Sequence, residues 1–181
     1  RSASKLYNYI YEKLQHDNGM NIAHTFSTWN AVGWHRVLSL PCSASASGKM
    51  IRTLELTAVR TYNNAQPEIF SVRLIGLYNT TEGFEILYSK SNTEASQLMT
   101  KIRMTKSSDG ETLYIDIYYN STTSNALAVF CKLFDPFNNT DGFSSSCITW
   151  GNGAVVDNSL TVVASSDIPR DITAPGTGFY Y

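Results

Sequence analysis

With 181 residues, 43% apolar and 12% aromatic side chains, the chain can bury one substantial core, and a single domain is the economical organisation. Its net charge is −1, from 14 Lys and Arg against 15 Asp and Glu with no basic cluster, which argues against a nucleic-acid footprint. No apolar run approaches the roughly 18 residues that span a bilayer, and no signal-peptide core opens the chain, so membrane insertion is not expected.

The chain begins with Arg1 rather than methionine, as expected of a fragment or processed product of a longer protein. From Ser4 to His16, Leu6, Ile10 and Leu14 recur every four residues with Tyr7 and Tyr11 beside them, which predicts one helical stripe capped by Ser4. A helix this short is marginal alone in water. Its stripe must therefore pack on the body or on copies of itself, and both options stay open. Asp17, Asn18 and Gly19 end it, dividing the chain into a helical leader, 1–19, that is a possible trimerisation segment, and a body, 20–181.

The body reads as all-β. Eleven tyrosines, eight phenylalanines and only 16% charged residues suit pleated surfaces better than helices. Alternation of apolar and polar side chains predicts strands at Phe70 to Leu74, Phe84 to Tyr88 and Leu98 to Met104. The clearest is Glu111 to Tyr119, with Leu113, Ile115, Ile117 and Tyr119 on one face and Thr112, Tyr114, Asp116 and Tyr118 on the other. Ala126 to Leu133 is apolar on both faces, which predicts a strand buried on both sides, and Leu160 to Ala164 suggests one more. Polar turns separate these runs, among them Asn63 to Pro67, Asn120 to Asn125 and Gly151 to Gly153. About ten strands in two packed antiparallel sheets, a jelly-roll-like β-sandwich preceded by the short N-terminal helix, is the expected fold.

Catalytic chemistry leaves little trace. There is no GxSxG elbow. His16, His24 and His35 share no metal-ligand spacing and read as structural, and the Gly151–Gly153 stretch lacks the Lys-Ser/Thr of a phosphate loop. Neither metal nor cofactor is expected. Asp116 and Glu85 stand on polar strand faces where a pair of sugar-cleaving acids is conceivable, but a solvated surface is the better reading for both. Cys42, Cys131 and Cys147 are odd in number and without CxxC spacing, which predicts buried free thiols, Cys131 above all. The remaining signal is aromatic side chains beside amides in loops, at Tyr62-Asn63-Asn64, Tyr78-Asn79, Phe137-Asn138-Asn139 and Trp150-Gly151-Asn152. Flat rings meet the apolar face of a sugar while amides match its hydroxyls. Tyr62, Asn63, Trp150 and Asn152 are the candidate ligand contacts, the alternative being that the rings plug the sandwich ends and the amides build turns.

A stretch from Thr25 to Leu38 containing Gly33-Trp34-His35-Arg36-Val37, followed by Ile51-Arg52-Thr53-Leu54-Glu55-Leu56, Lys101-Ile102-Arg103 and Leu113 to Tyr119, resembles the distal domains of bacteriophage tail fibres and related trimeric bacterial adhesins over roughly residues 22–165. His35 stands where that pattern has tyrosine. The resemblance implies a homotrimeric tip on a virion tail fibre or extracellular fibre, binding a host cell-surface glycan or protein without catalysis, with the leader near the threefold axis. It also implies structural roles for Gly33, Trp34 and Arg36. A tail-spike-like polysaccharide-degrading enzyme and a purely structural fibre module are the alternative expectations.

Overall fold

In a computed structural model the described residues are 20–41, 53–61, 68–75, 83–91, 97–123, 125–134, 148–156 and 159–172. Among them the regular structure is strand alone: β1 (Met20–Trp29), β2 (Gly33–Pro41), β3 (Thr53–Thr61), β4 (Glu68–Ile75), β5 (Gly83–Lys90), β6 (Met99–Lys106), β7 (Thr112–Tyr119), β8 (Asn125–Phe134), β9 (Thr149–Trp150), β10 (Thr161–Asp167) and β11 (Asp171–Ile172). The helix expected over the leader lies outside the described residues.

The strands form two antiparallel sheets, a six-stranded one ordered β1-β8-β3-β4-β5-β11 and a five-stranded one ordered β10-β6-β7-β2-β9. Within the first, β3, β4 and β5 run as a meander, while β6 and β7 make a hairpin in the second. The turn of that hairpin is built by Asp109, whose Oδ1 accepts the Ser107 hydroxyl at 2.5 Å and the Glu111 N–H at 3.0 Å. Those bonds, the one from Ser107 foremost, hold the Asp109 carboxyl below the usual carboxylate range. What reads in sequence as one opening strand around Gly33-Trp34 is two, because the chain turns after Trp29 and crosses from the first sheet to the second.

The alternation of β7 is realised as predicted. Leu113, Ile115, Ile117 and Tyr119 are fully buried and meet Leu38 and Leu40 of β2, Ile102 and Met104 of β6, and the inner residues of the six-stranded sheet, such as Leu56, Phe70, Val72 and Val129, in one shared core. Each such aliphatic side chain contributes on the order of 1.5–3 kcal/mol of transfer free energy. At one end, a polar strap ties the layers. Glu68 of β4 is 3% exposed; its carboxylate accepts Arg60 Nε at 3.1 Å, Met99 N–H at 2.8 Å and Leu98 N–H at 3.1 Å, so a side chain from one sheet caps the first residues of β6 in the other. Gln97 extends the strap, donating to the Ile168 carbonyl at 2.6 Å.

One expectation fails. Strand β8 is not buried on both sides: Leu127, Val129 and Cys131 face the core, but Phe130 on the other face is 50% exposed and Ala126 and Ala128 are part-exposed. An apolar residue on a sheet's outer face is buried only if something covers it, and within the single chain nothing covers Phe130. Cys131 is a buried free thiol, and burial pushes its pKa up to about 12; Cys42 and Cys147 lie outside the described residues. Since the thiolate is the reactive form, iodoacetamide at pH 8 is expected to label native Cys131 about a hundredfold or more slowly than in urea, read from the mass of its proteolytic peptide. Equal labelling rates would contradict its burial.

Candidate functional site

Two surface regions carry the aromatic and polar chemistry, one at the β9 edge and one on the outer face of the five-stranded sheet.

At the edge, residues 149–156 run beside β2: Trp150 pairs with Leu38, the Gly151 N–H donates to the Val37 carbonyl at 2.7 Å, and Val155 bridges to His35. Gly151 permits this approach, since a Cβ there would run into the Arg36 carbonyl oxygen. Gly153 has φ +75°, and a Cβ on it would come within 2.8 Å of Trp29 Nε1, so backbone and space both call for glycine. The segment is clipped at its centre by His35, which is 2% exposed. Its Nδ1 lies 2.5 Å from the Gly153 carbonyl oxygen and its Nε2 2.7 Å from that of Ala31, so an N–H on either nitrogen has a carbonyl to donate to. The ring stacks on Trp29 with centroids 4.4 Å apart. His35 thereby joins the β1–β2 turn to the Gly153 turn, a structural role that its scattered place in the sequence foreshadows.

Trp150 is part-buried and stacks on His24 of β1, with centroids 5.0 Å apart and planes 16° from parallel, closing the side of the sandwich where the two sheets' edge strands meet. Asn152 is exposed, and its Oδ1 accepts the Ala154 N–H at 3.0 Å in an Asx turn. These two candidate contacts therefore stand on one edge segment, and each also has a structural task. Tyr62 and Asn63 lie outside the described residues; β3, which leads into them, ends at Thr61 opposite Ala126, near Trp29.

On the outer face of the five-stranded sheet, register places Arg36 of β2 and Arg103 of β6 on either side of Asp116 of β7. Arg36 Nε donates to Asp116 Oδ1 at 3.1 Å and Arg103 Nε to Oδ2 at 2.9 Å. Asp116 is 0% exposed, so its reading as a wetted surface acid is corrected: two guanidiniums and the rings above them exclude water. The Arg103 guanidinium lies under Trp34, 4.4 Å from the ring centroid, and that of Arg36 lies 3.8 Å from the centroid of Tyr114. Tyr118 meets Trp34 edge-on at 5.3 Å. The floor is a carboxylate, the middle tier two cations, and the roof part-exposed aromatic rings. Glu85 is exposed and pairs with Arg73 at 3.4 Å on the other sheet, so Asp116 and Glu85 are not brought together as a pair of acids. Among the described residues no three His, Cys, Asp or Glu side chains converge as metal ligands.

No family model matches this chain, and no curated protein matches it. Among solved structures it is similar to the tailspike protein of Acinetobacter phage vB_ApiP_P1, with 11% identity, a TM-score of 0.38, and coverage of 67% of this chain and 22% of that one. A likeness of that degree carries no argument about function.

Sequence reasoning missed the Asp116 cluster as a unit. Arg36, Arg103 and Asp116 each sit at a polar position of an alternating strand, which was visible, but their meeting depends on the order β6-β7-β2. Because removing the shared anion leaves two inward-held cations uncompensated, Asp116→Asn is expected to cost about 3–5 kcal/mol in a urea titration. A loss below about 1 kcal/mol would mean that water reaches the cluster.

Proposed function

We propose that this chain is a non-catalytic receptor-binding tip domain of a trimeric fibre, attaching a virion or an extracellular fibre to a host cell-surface glycan or protein. The observation that carries the reading is how the acids are used. A general acid or base must be free to exchange its proton with a substrate, whereas the two buried carboxylates among the described residues, Asp116 and Glu68, are held by arginines and, for Glu68, by backbone N–H groups as well. What stands at the surface instead is aromatic: Trp150 beside Asn152 at the β9 edge, with Tyr62 and Asn63 as the further proposed contacts of that site. Flat rings flanked by amides suit recognition of sugars and of extended peptides alike.

Self-association is supported by the outer face of the six-stranded sheet. Register aligns Ala128, Val59 and Ile69 in one row across β8, β3 and β4, with half-exposed Phe130 in the next. An apolar row of this kind on a solvent face gains by being covered, and a trimer would cover it while multiplying weak sites by avidity.

Light scattering on the purified domain is expected to give the mass of three chains. A monomer would contradict the fibre reading. On whole host cells, Trp150→Ala is expected to weaken attachment by about tenfold or more with near-UV circular dichroism retained, as loss of an aromatic anchor does. Unchanged attachment would remove Trp150 from the site, and release of reducing ends from host polysaccharide would replace the binding reading with an enzymatic one.

A further inference from the structure

The edge site does not account for the aromatic roof over Asp116. We propose that the outer face of the five-stranded sheet is a second binding surface, a platform for an acidic oligosaccharide, with Trp34, Tyr118 and Tyr114 as stacking rings and Arg36 as the contact for a sugar carboxylate. The proposal deepens the attachment reading and rests on it for the presentation of the domain to a cell surface.

Geometry carries the platform. Tyr118, Asp116 and Tyr114 are alternate residues of β7, so the two tyrosines are four residues apart on one face, roughly 14 Å at about 3.4 Å per residue. Trp34 lies opposite Tyr118 and Ser39 opposite Tyr114 on β2, and Thr149 opposite Ser39 on β9, so hydroxyls border the ring file. Trp34, Tyr114 and Tyr118 are each part-exposed. A surface of that length accommodates a short run of sugar units, the rings taking the apolar faces and Ser39 and Thr149 offering hydroxyl partners.

Rigidity and charge select the ligand. The rings do not have to be ordered on binding, because Trp34 is supported by Arg103 and Tyr114 by Arg36, and both guanidiniums are fixed by the same buried carboxylate. Surfaces ordered in advance lose less entropy when they bind. Two guanidiniums face one carboxylate, leaving the cluster with a charge of +1. Arg36 gives Asp116 only its Nε; its Nη2 has no hydrogen-bond partner, and the side chain is 20% exposed. A planar donor set with spare capacity beside stacking rings matches a carboxylate-bearing sugar better than a neutral one.

The test uses the full chain and pairs of oligosaccharides, each containing uronic or sialic acid, set against its carboxyl-reduced counterpart, with binding read by isothermal calorimetry and by heteronuclear NMR shifts. The acidic member is expected to bind at least about tenfold more tightly than its reduced partner, and to weaken as ionic strength rises towards about 1 M, where the screening length falls to about 3 Å. Tyr118→Ala, whose ring rests on Trp34 alone among the aromatic contacts described, should weaken binding by about tenfold while Trp150→Ala does not. Should the tyrosine variant fail to fold, the NMR shifts of the unaltered protein decide, and they must fall on residues 34–39 and 114–118. Equal binding of both members, or no binding of any acidic member, overturns the platform. Binding to host cells that is lost in Trp150→Ala but kept in Tyr118→Ala also overturns it and leaves the attachment reading intact. Failure to attach to host cells at all would instead remove the attachment reading itself.

Discussion

A carboxylate shut away from water needs compensation on every side, and Asp116 meets that constraint with one guanidinium per oxygen. The cost of desolvating an ion in a protein interior is several kcal/mol, and it is offset only where geometry is good and the partners are themselves held. Here the holding is mutual. Asp116 fixes Arg36 and Arg103, they support Tyr114 and Trp34, and those rings keep water from the carboxylate. Strands β6, β7 and β2 are thereby cross-linked on their outer face as firmly as their inner face is by Ile102, Ile117 and Leu38.

Glu68 does the same work between the layers. It sits on the six-stranded sheet, is neutralised by Arg60 on the neighbouring strand, and takes the backbone N–H groups of Leu98 and Met99 where β6 begins. At the opposite end His35 spans the Ala31 and Gly153 carbonyls. Buried polar groups in this domain thus act as joints between strands and turns. The result is a domain whose buried acids are engaged as structure while its rings are left at the surface, which is the division expected of a binding module.

Much of the fold could be read from the residues. The period-two pattern of Leu113, Ile115 and Ile117 gave β7 its inner face, and the same pattern located β4, β5 and β6. Less legible was β1, where His24 interrupts an otherwise apolar alternation because it is stacked on Trp150, far along the chain. Phe130 misled because composition cannot distinguish a residue covered by its own chain from one left open for another. Asp116 misled for a related reason: its neighbours along the sequence are tyrosines, and the arginines that bury it come from strands 80 and 13 residues away. Of the candidate contacts, Trp150 and Asn152 share one edge segment, but their stack and their turn are set by partners that spacing does not reveal.

The central claim is that the outer face of the five-stranded sheet is a rigid platform ordered by Asp116. Hydrogen exchange of the unliganded domain tests it most directly, because exchange reports local opening. The account predicts that the amides of residues 34–37, 102–104 and 115–118 exchange only with global unfolding in the native protein, and that they exchange by local opening in Asp116→Asn while the β3–β4 amides keep their protection. Uniform loss of protection over both sheets, or no change on the outer face, would contradict it.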